Sequence, residues 1–212
     1  MRFAGYGVIG RGAMSMAGWF YPPYKARHDL ARMSEIGYIS PSVCIHARNI
    51  TLGKNIFLGD GVTIFNRGSS ESVTLGNEVA INKDTILESG KGGHIFIGDR
   101  TTIQPRCQLS AYVGTIRIGA DVQIALNCAF YPYNHGMSLD KTMKEQPLFS
   151  QGGIDIGDDV WLGVGVVVLD GVHIGQGAII GAGSVVNKNI PAGVLAAGVP
   201  ARIIKERENN GR

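Results

Sequence analysis

The chain has 212 residues, enough for one domain with appendages, and 20 Lys and Arg against 17 Asp and Glu leave a net charge of +3. That balance is too mild for a nucleic-acid partner, and no run of Lys and Arg marks a phosphate-backbone footprint. The three cysteines, Cys44, Cys107 and Cys128, are scattered, with neither a disulfide framework nor a zinc spacing, which points to reduced thiols in a cytoplasmic protein.

Residues 1–36 read as an N-terminal arm. Its apolar stretch, residues 12–24, holds Trp19, Phe20 and Tyr21 in sequence. It is too short and glycine-rich for a spanning helix, and it lacks the small-residue cleavage site of a signal peptide. The expectation is an arm packed on the body of the protein or on a partner subunit, with a peripheral membrane contact as the alternative. Gly5, Gly7 and Gly10 spell G-x-G-x-x-G, but only four residues precede Gly5 and no βαβ alternation follows, so a dinucleotide site is rejected.

From Ile39 onward the chain keeps a step of six. Aliphatic anchors fall at Ile39 and Ile45, then at Leu52, Leu58 and Ile64, and then at Leu75, Ile81 and Leu87. Ile97, Ile103 and Leu109 follow, then Ile118, Ile124 and Phe130. The last run is unbroken: Ile156, Leu162, Val168, Ile174, Ile180 and Val186. A period of six fits neither a 3.6-residue helix nor a hairpin sheet; it fits a solenoid of short strands and turns. Three steps make one coil with three flat faces, which gives about seven coils over residues 37–190. A second small or aliphatic residue recurs four places after each late anchor: Val160, Val166, Val172, Ala178, Ser184 and Ile190. Residues 191–212 read as the segment that closes the last coil, because an open strand edge invites further pairing.

The longest break in the rhythm is residues 131–153, YPYNHGMSLDKTMKEQPLFSQGG. A solenoid does not need such an excursion, and long loops on rigid scaffolds tend to carry function. His135 stands at its entrance. Counting on from Phe130 it takes the sixth place of a repeat, the place also held by Trp161 and His173, and it is expected to face outward.

The segments IDIGDDVWLGVGVVVLDGVHIGQGAIIGAGSVV and IPAGVLAAGVPARIIKER resemble the hexapeptide-repeat acyltransferases of the left-handed parallel β-helix class. The likeness is greatest to the galactoside and maltose acetyltransferase branch, with its relatives that acetylate bacterial surface polysaccharides. What the resemblance implies is an all-β, left-handed parallel β-helix, acetyl-CoA as acyl donor, a homotrimer, and a saccharide or sugar-nucleotide acceptor. Crossovers are normally right-handed, so the left hand comes from the resemblance alone.

In that family a histidine lies eleven residues after the anchor of an I-A-x-N segment. Here the segment is Ile124-Ala125-Leu126-Asn127 and the residue eleven on is His135, the implied catalytic base. The family's next residue is proline; this chain has Gly136. The resemblance assigns coenzyme A contacts to Val164, Ala182, Asn187, Lys188, Arg202 and Lys205, with Lys188, Arg202 and Lys205 meeting phosphates. Val164 stands for a serine and Asn187 for a threonine. Trp161 fits the family's V-W-[IL]-G segment, as a cofactor contact or as plain packing at a subunit surface. On the acceptor side the family's asparagine has no match in Gln104-Pro105-Arg106-Cys107-Gln108. Arg106 there suggests an acidic or differently shaped acceptor, and Asn82 and Asn127 are the other candidates.

Three competing readings carry their own tests. A non-catalytic solenoid scaffold explains the repeat but neither the loop nor the C-terminal signature. A γ-type carbonic anhydrase needs two histidines five residues apart, and no two of His28, His46, His94, His135 and His173 are so spaced, so no metal is expected. A sugar-nucleotide N-acetyltransferase or serine acetyltransferase would use the same base on an amine.

Overall fold

The structure, a computed structural model, describes residues 7–22, 24–68 and 70–208; Gly5, the first glycine of the G-x-G-x-x-G pattern, lies outside them. The chain winds into seven coils of short strands forming three sheets of nine, seven and six strands, parallel throughout except for the last strand of the nine, a left-handed parallel β-helix. Coil one uses Gly37–Ile39, Cys44–His46 and Ile50–Leu52, one strand per face. Coil seven uses Ile179–Ile180, Val185–Val186 and a bridge from Ile190 to Ile174.

The register shows why the step of six matters. On the first face Leu58, Ile81, Ile103, Ile124, Leu162 and Ile180 stack in one file. Leu87, Leu109, Phe130, Val168 and Val186 make the second file, and Leu75, Ile97, Ile118, Ile156 and Ile174 the third. All of these side chains are buried, and each removes enough apolar surface to contribute about 1.5–3 kcal/mol. Val160, Val166, Val172, Ala178 and Ile190 fill the corners of the same column.

Two corners are built the same way from coil two onward. Between the third and first faces a left-handed residue turns the chain at Asn55, Glu78, Arg100, Asp121 and Asp159, then at Gly177 and Gly193. Between the first and second faces it does so at Gly61, Asp84, Arg106, Asn127, Gly165 and Gly183. The third corner follows no such rule. It is short between Leu169 and Val172, and it releases residues 131–153 from coil five.

The N-terminal arm is helical. Helix α1, Val8–Phe20, and the short helix α2, His28–Ala31, pack on the first face of their own solenoid. Met14, Leu30 and Ala31 form a small second core with the outward-facing Tyr38, Phe57 and Ala80. At the other end Val194–Ala197 adds one more parallel strand to the first face, and Arg202–Glu206 folds back antiparallel on it.

Candidate active site

After Tyr131 the chain leaves coil five and forms a two-stranded antiparallel hairpin, Asn134–His135 against Leu148–Phe149. His135 is therefore not at a repeat position shared with Trp161 and His173. It is exposed, as expected, but because it sits on a hairpin strand outside the coils.

The hairpin is braced at several points. At its base Asp170, from the same corner of coil six, accepts bonds from Asn134 Nδ2 (3.0 Å), Ser150 Oγ (2.8 Å) and the N–H groups of Gln151 (2.7 Å) and Gly153 (3.2 Å). Farther out the Gly136 N–H bonds to the Pro147 carbonyl at 2.9 Å. A Cβ at position 136 would come within 2.7 Å of Gln146 Oε1 and 3.1 Å of Pro147 Cδ, so glycine fits the contact that this chain has made. The buried Gln146 donates to the carbonyls of Ser138 (2.6 Å) and Lys141 (3.1 Å). Thr142 donates to Glu145 from its hydroxyl (2.9 Å) and its N–H (3.2 Å), which holds the Glu145 carboxyl below the usual range. Asp140 accepts from the Ser138 hydroxyl. Both loop carboxylates are thus occupied locally, and neither orients His135.

The implied coenzyme A positions divide into groups. Val164 and Ala182 stack in the corner between the first and second faces, joined by a bond from Gly183 N–H to the Val164 carbonyl (2.8 Å), and both are exposed. Trp161 is 54% exposed on the first face, in register with Gln123 and Ile179. Asn187 and Lys188 are exposed at the irregular corner, two coils beyond the hairpin. Arg202 and Lys205 are exposed on the closing strand. One chain therefore displays these positions on either side of its second face and on its cap.

On the acceptor side, Arg106 and Asn127 are exposed and bonded to each other, Arg106 Nε to Asn127 Oδ1, at 2.9 Å. Both occupy left-handed turn positions, a conformation that asparagine tolerates well. Asn82 requires a correction. It is 1% exposed beneath α2, its amide donating to the Ile103 carbonyl (2.9 Å) and its oxygen meeting His28 Nε2 (3.0 Å), so it is a structural tie and not an acceptor contact.

The periodicity argument missed a polar aromatic cluster at the irregular corner. Tyr133 meets Tyr112 edge-on at 5.9 Å and Tyr131 at 6.1 Å. The Arg67 guanidinium and the Lys91 ammonium each lie 5.5 Å from the centre of the Tyr112 ring. Arg67 Nε bonds to Glu88 at 2.9 Å, and Ser110 reaches the same carboxylate at 3.5 Å. Burial, then Tyr133 and Glu88, push the Tyr131 phenol up. Arg67, Lys91 and Tyr133 lie in insertions between coils, where no six-step register marks them; the concentration of tyrosines in YPY beside the loop is the signal in the sequence. No group of His, Cys, Asp and Glu able to hold a metal occurs among the described residues.

Residues 153–188 match the family model of the bacterial transferase hexapeptide (six repeats). The chain is 33% identical to WbbJ of Escherichia coli K12, named for O-acetyl transfer in lipopolysaccharide biosynthesis, over 61% of this chain and 74% of that one. It is 43% identical to the galactoside O-acetyltransferase of the same organism over 43% of this chain and 44% of that one. The crystal structure of the polySia-specific acetyltransferase NeuO superposes with a TM-score of 0.64 at 25% identity, covering 81% of this chain and 89% of that one. The chain belongs to the hexapeptide-repeat acetyltransferase family. It spans about half the length of several of the curated relatives it matches.

Proposed function

We propose that the protein is an acetyl-CoA-dependent O-acetyltransferase that modifies a sugar hydroxyl during synthesis of a surface polysaccharide, with His135 as the general base. The observation that carries this reading is the exposed His135 on a braced hairpin, on the one corner of the prism that departs from the repeat. A sugar hydroxyl is a poor nucleophile at neutral pH. A neutral imidazole within hydrogen-bond reach takes its proton as the oxygen attacks the thioester carbonyl. The tetrahedral intermediate then expels the coenzyme A thiolate, which takes up a proton, and the product is the acetyl ester. A backbone N–H near a glycine corner would stabilise the oxyanion. No metal is invoked.

Coenzyme A would lie in a groove between neighbouring subunits of a homotrimer. A threefold arrangement of flat-sided prisms brings the separated positions of one chain, Val164 and Ala182 on one side and Lys188 on the other, against a neighbour's hairpin. Lys188, Arg202 and Lys205 would meet the phosphates. The names of WbbJ and the galactoside enzyme support O-acetylation of a saccharide. We assign the protein to the cytoplasm, where acetyl-CoA is supplied. Helix α1 exposes Val8, Ile9, Met16, Trp19 and Phe20, which favours a peripheral membrane contact of the arm.

The test follows thiol release from acetyl-CoA across sugars, sugar nucleotides and amino acids. Saccharide hydroxyls should be the best acceptors. If an amino sugar nucleotide or serine is preferred, the reading gives way to an N-acetyltransferase or a serine acetyltransferase. If no acceptor promotes thiol release and acetyl-CoA is not bound, the solenoid is a scaffold.

A further inference from the structure

Within the cluster at the irregular corner, Glu88 ties coil three to coils two and four through Arg67 and Ser110, while the tyrosine rings and Lys91 stand outside that link. The cluster's tyrosines are half-exposed; Arg67 and Lys91 belong to two different insertions and Glu88 to a second-face strand. It is nevertheless built. Tyr112 lies against Gly90, where a Cβ would sit 2.6 Å from Cδ2 of the ring, so a side chain at 90 would displace it. Pro132, buried between Tyr131 and Tyr133, fixes the chain that carries both. Tyr133 stands two residues before His135, just ahead of the hairpin strand Asn134–His135. The row Tyr112, Tyr133, His135 leads from coil four, through the Tyr112–Tyr133 ring contact, to the hairpin strand that follows Tyr133.

We propose that this row is the acceptor subsite, and that it takes an acidic saccharide. The inference rests on the acetyl-transfer reading for the role of His135, but its recognition chemistry stands on its own geometry. A tyrosine face offers apolar area to the C–H side of a sugar ring, and its hydroxyl offers a hydrogen bond to the rim. Two cations share the Tyr112 ring with one carboxylate, and Arg67 is already paired with it. Among the described residues Lys91 forms no ion pair, so one positive charge remains to be met. A carboxylate on the saccharide would meet it and would also reach Arg67. Glu88 would accept from a ring hydroxyl. A chain of sugars would place one residue by His135 and lay its neighbours across Tyr133 and Tyr112.

Binding is measured by calorimetric titration of the full chain with trigalacturonic acid, a sialic acid trimer and neutral maltotriose, at low and high salt. At least one acidic trimer should bind about tenfold tighter than maltotriose, with the difference lost at high salt. Lys91→Gln, a change at an exposed side chain that removes the charge, should remove most of that preference. Tyr112→Ala should weaken every trisaccharide, while Tyr112→Phe retains stacking. Equal affinity for acidic and neutral trimers would overturn the acidic assignment, as would a Lys91→Gln variant that binds as the parent does. Absence of binding by all three, or indifference of both Tyr112 variants, would overturn the subsite. His135→Ala should still bind the acidic trimer. Intact binding of that trimer, with no thiol release in the parent protein, would sink the acetyl-transfer reading while leaving the subsite standing.

Discussion

Two kinds of corner meet in every coil of this prism. From coil two onward the corners flanking the first face turn in a fixed number of residues, with one left-handed residue each and an aliphatic anchor on either side. The corner between the second and third faces varies from a tight turn after Leu169 to the excursion of residues 131–153. Insertion at an exposed corner costs little, because loop-closure entropy grows slowly with length and no anchor leaves its file. The fixed corners therefore supply stability, and the variable corner is free to carry chemistry.

The strongest way to break this contrast is to exchange the consequences of substitution. Leu162, fully buried in the first-face file, should cost about 2–5 kcal/mol when changed to alanine, read as a fall in the denaturant midpoint. Leu139, fully exposed at the hairpin tip, should change stability by less than about 0.5 kcal/mol when changed to serine. Comparable losses at both sites would erase the distinction between the corners.

Asp170 joins the two regimes, since it sits on a coil and holds the hairpin base through four hydrogen bonds. Asp170→Ala should leave thermal unfolding nearly unchanged. It should lower kcat by about 10- to 100-fold through misplacement of His135, and speed proteolytic nicking within residues 136–146. An unaltered kcat would mean that the hairpin does not depend on the coil for its position.

The smallest effect concerns the N-terminal arm. Burial holds the His28 imidazole below its ordinary value of 6.5, against the raising effect of its bond to Asn82. The folded protein thus binds fewer protons than the unfolded chain near that pH. The stabilising contribution is present above about pH 6.5 and is lost as pH falls below it. A melting temperature that declines between pH 7.5 and 5.5, with a smaller decline in His28→Gln, is the expected result. An identical decline in both would assign the pH dependence elsewhere.

How much of this was legible in the sequence follows the same division. The anchor files were legible residue by residue, since a step of six has one geometric reading and the structure buries every anchor after Leu52. The outward exposure of His135 was legible too, but its cause was not. Counting sixes past Phe130 assumed that the chain stayed on the coil, whereas it departs after Tyr131. Asn82 read as a pocket residue because nothing in the repeat signals that a helix from the arm will cover it. The helical form of the arm was hidden by its glycines, Gly10, Gly12 and Gly18, which depress helix propensity without preventing a helix that packs on Tyr38 and Phe57. Arg67, Lys91 and Tyr133 lie in unequal insertions, where no period exists to bring them to Tyr112 at the end of its strand.

The central claim is that the variable corner carries the chemistry through one imidazole. It is tested most directly by the rate of acetyl transfer to the best acceptor in His135→Ala, alongside coenzyme A affinity and the association state. Transfer should fall by about 10²–10⁴-fold with the other two properties intact. A variant that transfers within a factor of a few of the parent would contradict the account, because the hairpin would then present His135 to no purpose.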